Sequence, residues 1–193
     1  PTTRVIGLGG PGVKPNGRMH YRVRVGAELE SLFSEHLADG VQRIVNGDAL
    51  AGDRVPADGF LPFFARGFTV LAEDEERHFL GWLAPGARSY SHSRSFLSAW
   101  MGGRRPWALG TNTHGGKRAM VLTGLFDRFM PMNIMVEYLV RAVLANDSEE
   151  AIKLGVLETD PEDFALCAFA CPSKMDLVGI MRKGLASIEK EGL

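Results

Sequence analysis

Cysteine is the scarcest residue with reactive chemistry in this chain of 193 residues: there are two, Cys167 and Cys171. Two thiols cannot lace a small secreted domain with disulfides, and one chain needs roughly four to hold an iron–sulfur cluster. Four positions apart on a helix, their Cβ atoms would be too distant for a relaxed bridge, so a reducing, cytoplasmic setting is expected. An excess of one charge is also missing, because 22 Lys and Arg nearly balance 23 Asp and Glu. Nucleic-acid binding usually demands a basic surface, so no nucleic acid is expected as a partner. No apolar run reaches the ~18 residues of a membrane span, and no signal peptide is expected. The five histidines (His20, His36, His78, His92 and His114) have neither H-x-H nor H-x-x-x-H spacing. A metal site on them would have to be assembled from scattered loops. There is no G-x-S-x-G elbow, and neither cysteine has a histidine beside it in sequence. No catalytic residue and no metal ligand is therefore assigned, and cofactor-binding residues are left unknown.

What is present begins with Cys167-Ala168-Phe169-Ala170-Cys171-Pro172. A bacterial four-iron motif reads C-x₂-C-x₂-C-x₃-C-P, and its C-x₃-C-P tail is intact here. Counting back three and six from Cys167 gives Phe164 and Pro161, which cannot ligate iron. The pair reads as the remnant of a lost iron–sulfur motif, or more plainly as two small buried residues on one helical face. Gly7-Leu8-Gly9-Gly10-Pro11-Gly12 satisfies the dinucleotide pattern G-x-G-x-x-G. That mechanism needs a helix N-terminus directly afterwards, whereas a strand-like segment follows. The loop Thr111–Arg118 has glycines and two cations that would suit an anion, against a plain solvated turn. Met130, Met132 and Met135 offer either core packing or an adaptable surface.

Hydrophobic period divides the chain. Residues 3–8 read as a strand entering a glycine-rich turn, and 21–25 alternate as a half-buried strand does. Residues 28–38 carry apolar side chains at helical spacing, and 43–45, 68–71 and 79–83 read as further strands. Two strands, a helix and more strands suggest a β-grasp-like α+β module over 1–85. Residues 86–130 are connecting loops and short strands, with 102–106 and 111–117 of loop composition and 119–122 a strand. A helical domain is expected over 131–193, with Pro131 at a first helical position and Glu137 paired to Arg141 outside. Asp147 is expected to cap a short helix closing at Gly155. Asp160-Pro161-Glu162-Asp163 reads as a strong helix start. Ser173 and Asp176 resemble a capping box for a last helix to about Lys190, with Leu177, Met181, Leu185 and Ile188 inward. The chain opens on Pro1 with strand-like residues at once, so a portion of a longer protein is expected.

Five separated blocks together resemble the NqrA family, the A subunits of the bacterial sodium-translocating NADH:quinone oxidoreductases. They are residues 4–15, 81–86, 115–121, 128–134 and 162–174, joined by the terminal Ile188-Glu189-Lys190-Glu191-Gly192. The resemblance implies the C-terminal part of NqrA: a soluble-ligand-binding β-grasp module, then a helical domain. That helical domain is similar to a cluster-bearing one in the flavoprotein subunit of respiratory complex I and in the RnfC component of the Rnf complex. The resemblance implies no flavin or cluster in this piece, with flavins and iron–sulfur centres in partner subunits. It also implies a peripheral place on the cytoplasmic side of the bacterial inner membrane. There the whole complex couples NADH oxidation and ubiquinone reduction to sodium export. Ubiquinone is a possible contact, with no residue assigned, and this piece is expected to be scaffold rather than catalyst. Two alternatives stand beside it. An Rnf-type electron-transfer subunit would need more cysteines, and a non-enzymatic β-grasp module would bind some small ligand on its own.

Overall fold

Alternating side chains build one mixed sheet in the computed structural model, which describes residues 2–74, 79–81, 83–87, 89–101, 107, 109–121 and 123–192. Its strands are β1 (Thr3–Gly9), β2 (His20–Arg24), β3 (Gln42–Asn46), β4 (Asp53–Val55) and β5 (Gly67–Ala72). They lie in the order β2-β1-β5-β3-β4. β1 is antiparallel to β2 and parallel to β5, and β3 is antiparallel to both β5 and β4. A parallel pair needs a long crossover, and the chain from β2 through β4 supplies it. Within that crossover α1 (Glu30–His36) covers one face of the sheet. Leu29 and Phe33 there pack against Ile6, Leu8, Ile44, Phe68 and Val70. The Phe33 and Phe68 rings meet edge to face at 5.4 Å, a favoured aromatic geometry. Each such large side chain taken fully from water stabilises the fold by roughly 1.5–3 kcal/mol.

The protein is thus α+β, and it divides into two compact units, Pro1–Asn112 and Thr113–Leu193. The second holds α2 (Val136–Leu144), α3 (Ser148–Lys153), α4 (Ala165–Ala170) and α5 (Leu177–Glu191). Its core joins Phe126, Leu139, Phe164, Leu177 and Met181, all at most 1% exposed. Local signals set these helices. The Asp147 carboxylate accepts from Glu150 N at 3.0 Å, and α3 closes where Gly155 turns left-handed at φ +92°. Asp160 and Asp163 form a reciprocal capping box over the 3-10 turn Pro161–Phe164, which runs on into α4. Among the described residues no helix is long and apolar enough to cross a membrane.

Several expectations are corrected. The described residues of 79–83 form turns rather than a strand, with Leu80 at φ +51°; Trp82 lies outside the described residues, as do His78 and the loop 102–106. β4 was not anticipated, because three residues with one apolar side chain display no alternation. Residues 119–121 form no strand, and Leu122 lies outside the described residues. Instead, the Ser173 hydroxyl donates to Ala119 O at 2.8 Å, and Arg118 N to Ser173 O at 2.9 Å. Ser173 is therefore buried against that segment, and α5 is capped by Asp176 alone, which accepts from Gly179 N. Pro131 precedes α2 by several residues. Glu137 does not pair with Arg141 on the surface. It is buried, and its Oε1 accepts from Thr123 N and Gly124 N at 2.9 Å each.

Candidate functional site

The cysteine pair belongs to the core of the helical unit. Cys167 lies on α4, and Cys171 ends that helix with an extended backbone. They are 0% and 1% exposed, among Phe164, Leu177 and Met181. The Cys167 thiol donates to Phe126 O at 3.7 Å, which requires its proton. Burial pushes that thiol up to about 11, with the Asp127 carboxylate adding to the effect. Cluster ligands are thiolates, and a buried thiol is the reverse of a reactive one. Two sulfurs buried in an apolar core, with the Cys167 proton committed to a backbone carbonyl, do not fit an iron–sulfur group. Among the described residues no three His, Cys, Asp or Glu side chains gather as a metal site.

The glycine motif resolves the same way. After Gly12 the chain makes the 3-10 turn Pro15–Gly17 and enters β2, so no helix presents its N-terminus. The loop's amides are already engaged: Gly12 N donates to Val70 O, Val13 N to Gly10 O and Lys14 N to His36 O. Gly10 has φ +107°, and a Cβ there would sit 2.3 Å from Val70 O. A Cβ on Gly12 would meet the Gln42 side chain at 2.3 Å. These glycines let backbone approach β5 closely, the second known use of glycine in such a place. In the 111–118 loop, the Thr113 hydroxyl donates to Gly115 O, and Arg118 N donates to Ser173 O at 2.9 Å, so these groups are engaged within the helical unit. Of the three methionines, Met130 is buried, Met132 packs on the core, and Met135 is 58% exposed.

The structure adds a feature that sequence reading missed. A groove of about 380 Å³ lies between β2 and α1, lined by Tyr21, Val23, Glu28, Leu32, Glu35 and His36 among others. The Tyr21 and His36 rings stand 4.9 Å apart at 37°, and the Tyr21 hydroxyl donates to Gly17 O at 2.9 Å. Burial, then the charge of Glu35, raises the Tyr21 phenol above its usual value. His36 Nε2 lies 3.8 Å from Glu35 Oε2. The groove is open to solvent, with aromatic surface and hydrogen-bonding groups along it. Fifteen residues separate the two rings in sequence, and the one signal was parity: Tyr21 shares the inward face of β2 with Val23.

Fold and site together define an α+β chain with a mixed-sheet unit and a helical unit, whose glycine and cysteine motifs serve packing. The family model described as the NQRA C-terminal domain matches residues 5–57. The A subunit of the Na(+)-translocating NADH-quinone reductase of Mannheimia succiniciproducens is 42% identical over 192 residues, covering 99% of this chain and 42% of that protein. Its counterpart in Yersinia pseudotuberculosis is 40% identical, covering 99% of this chain and 42% of the relative. That of Pasteurella multocida is 41% identical, covering 98% and 42%. The chain is similar to these NqrA subunits along nearly its whole length, and it spans less than half the length of the curated relatives it matches.

Proposed function

We propose that the chain is the C-terminal portion of a peripheral subunit of a sodium-pumping respiratory complex. That complex oxidises NADH and reduces ubiquinone, and couples the two to sodium export. The observation that carries this reading is similarity to NqrA along 98–99% of the chain. The sheet unit is read as a β-grasp of the soluble-ligand-binding type. In support, the order β2-β1-β5-β3-β4 has a central parallel pair, with one helix across a face. The helical unit is read as a cluster-less relative of an iron–sulfur helical domain, in which side-chain packing has replaced metal–thiolate bonds. Partner subunits would then hold the flavins and iron–sulfur centres, on the cytoplasmic side of the bacterial inner membrane. This portion acts as scaffold.

The test is a segment exchange. This chain replaces the matching part of a full-length NqrA, and sodium-dependent quinone reduction by the purified complex is measured. Retained assembly and activity are expected; a folded exchange protein that fails to enter the complex overturns the reading. The groove at Tyr21 and His36 favours a second reading, a ligand-binding module whose ligand is a quinone. Titrating the isotope-labelled chain with a soluble short-chain quinone separates the two. Saturable amide shifts confined to 21–36 support the ligand reading, and a flat titration leaves scaffold alone.

A further inference from the structure

The sheet's second face, away from α1, is built differently from the covered one. Register places Thr3, Val5 and Gly7 of β1 there, beside Arg24, Arg22 and His20 of β2. The His20 ring confirms the parity, lying 3.9 Å from where a Gly7 Cβ would be. Farther along, Gly9 has nothing within 4 Å of its missing Cβ, and Val5 is 54% exposed. His20, Arg22 and Arg24 are exposed, and none of the three has an ion-pair partner among the described residues. On the adjoining part of this face, Glu73 is already engaged by Arg43 and by the Thr111 hydroxyl. The acids Glu28, Glu30 and Glu35 lie on or beside α1, and Glu28 and Glu35 share with Arg24 the lining of the groove between β2 and α1. Arg22 and Arg24 thus place two exposed positive side chains on this strand of a chain whose formal charge is −1.

β2 is also a terminal strand of the sheet. Val25 N donates to Thr2 O at 3.1 Å and Leu8 N to Met19 O at 3.0 Å. Alternation along an antiparallel ladder then turns the amides of residues 20, 22 and 24 outward. Residues 20, 22 and 24, whose side chains stand on this face, thus offer their amides at the edge, while the Arg24 carbonyl accepts from Ala27 N at 3.0 Å.

We propose that this edge docks an acidic, extended segment of a partner protein. The segment pairs with β2 as an added strand, and alternate carboxylates meet His20, Arg22 and Arg24. The bare floor at Gly9 lets the partner's body come close to the sheet. Arg22 and Arg24 disfavour pairing with a second copy of β2, which would bring cation against cation. Guarding the edge alone would call for the charges but not for the bare floor beside them. Single-stranded nucleic acid would call for stacking aromatics, and the β1 and β2 residues on this face include no Phe, Tyr or Trp. This proposal stands apart from the respiratory reading, since it uses only the sheet unit's own geometry and charge.

The test is an amide-resolved NMR titration of the whole chain with an eight-residue peptide of alternating Glu and Val, alongside its Lys–Val counterpart. Saturable shifts at residues 20–24 and at Gly7 and Gly9 with the acidic peptide alone are expected. They should weaken several-fold between about 50 mM and about 300 mM salt. Arg22→Glu with Arg24→Glu should weaken binding by more than about tenfold. Arg22→Gln with Arg24→Gln should weaken it less and keeps the comparison valid if the reversed charges disturb folding. Shifts elsewhere, equal response to both peptides, indifference to the substitutions or tighter binding of a short single-stranded oligonucleotide would each overturn the proposal.

Discussion

The sheet unit and the helical unit each carry a run whose spacing spells cofactor chemistry, and each fold uses that run for packing by opposite means. In the sheet unit, glycine removes side chains: with no Cβ at Gly10 and Gly12, the loop backbone reaches Val70 and Gln42. In the helical unit, Cys167 and Cys171 supply small apolar bodies that fill space among Phe164, Leu177 and Met181. The stabilising partners differ as well. Gly12 is bonded to a residue 58 positions away, whereas Asp147 and Asp160 cap helices that begin beside them. A motif's chemistry depends on what stands opposite it, and spacing along the chain does not report that.

Substitutions that strike one unit and spare the other sharpen this comparison. The largest effect is expected from Gly10→Ala, which forces a Cβ against Val70 O at a left-handed φ. It should destabilise the sheet unit by more than about 3 kcal/mol, with hydrogen exchange of the helical unit unchanged. Next, Glu137→Ala strips two buried amides of their acceptor. A loss of about 2–3 kcal/mol in urea denaturation is expected, confined to the helical unit. Third comes alkaline pH. The folded Cys167 is raised from 9.0 to about 11, so its contribution is complete below pH 9 and fades as pH rises through the folded value. Across that window, stability of the helical unit should fall by on the order of 2 kcal/mol. Cys167→Ala should remove that pH dependence, and neither thiol should react with a disulfide reagent until the protein unfolds. The smallest effect belongs to Glu73, held below the ordinary carboxylate value chiefly by its hydrogen bond from Arg43. Its contribution is present above pH 4.5 and fades as pH falls through the lowered folded value. Glu73→Gln should cost about 0.5–1 kcal/mol at neutral pH and flatten the acid limb of the sheet unit's stability curve.

Legibility followed range. Strand-like runs gave away β1, β2, β3 and β5 to within a residue or two, and at 21–25 the alternation imposed by the pleat was plain. Asp147, Gly155 and the Asp160 box were readable because a cap and its target lie within three residues. Ser173 was misread as a cap because its partner, Ala119, is 54 positions away. Glu137 looked like half of a surface pair for the same reason, its true partners being Thr123 and Gly124. The groove at Tyr21 and His36 had no signature beyond strand parity, since only the return of α1 across β2 brings the rings together.

From the sequence alone came the α+β class, a count of two cysteines where a cluster needs roughly four, and the resemblance to NqrA. Each rests on what is countable or local: composition, period and motif order. It took the folded chain to show that both cysteines lie in apolar core, that the glycines serve β5, and that a near-neutral chain presents one cationic sheet edge. Burial and charge segregation are properties of what faces what, and the physical reason is simple: desolvation and close approach depend on distances in space, which chain order does not contain.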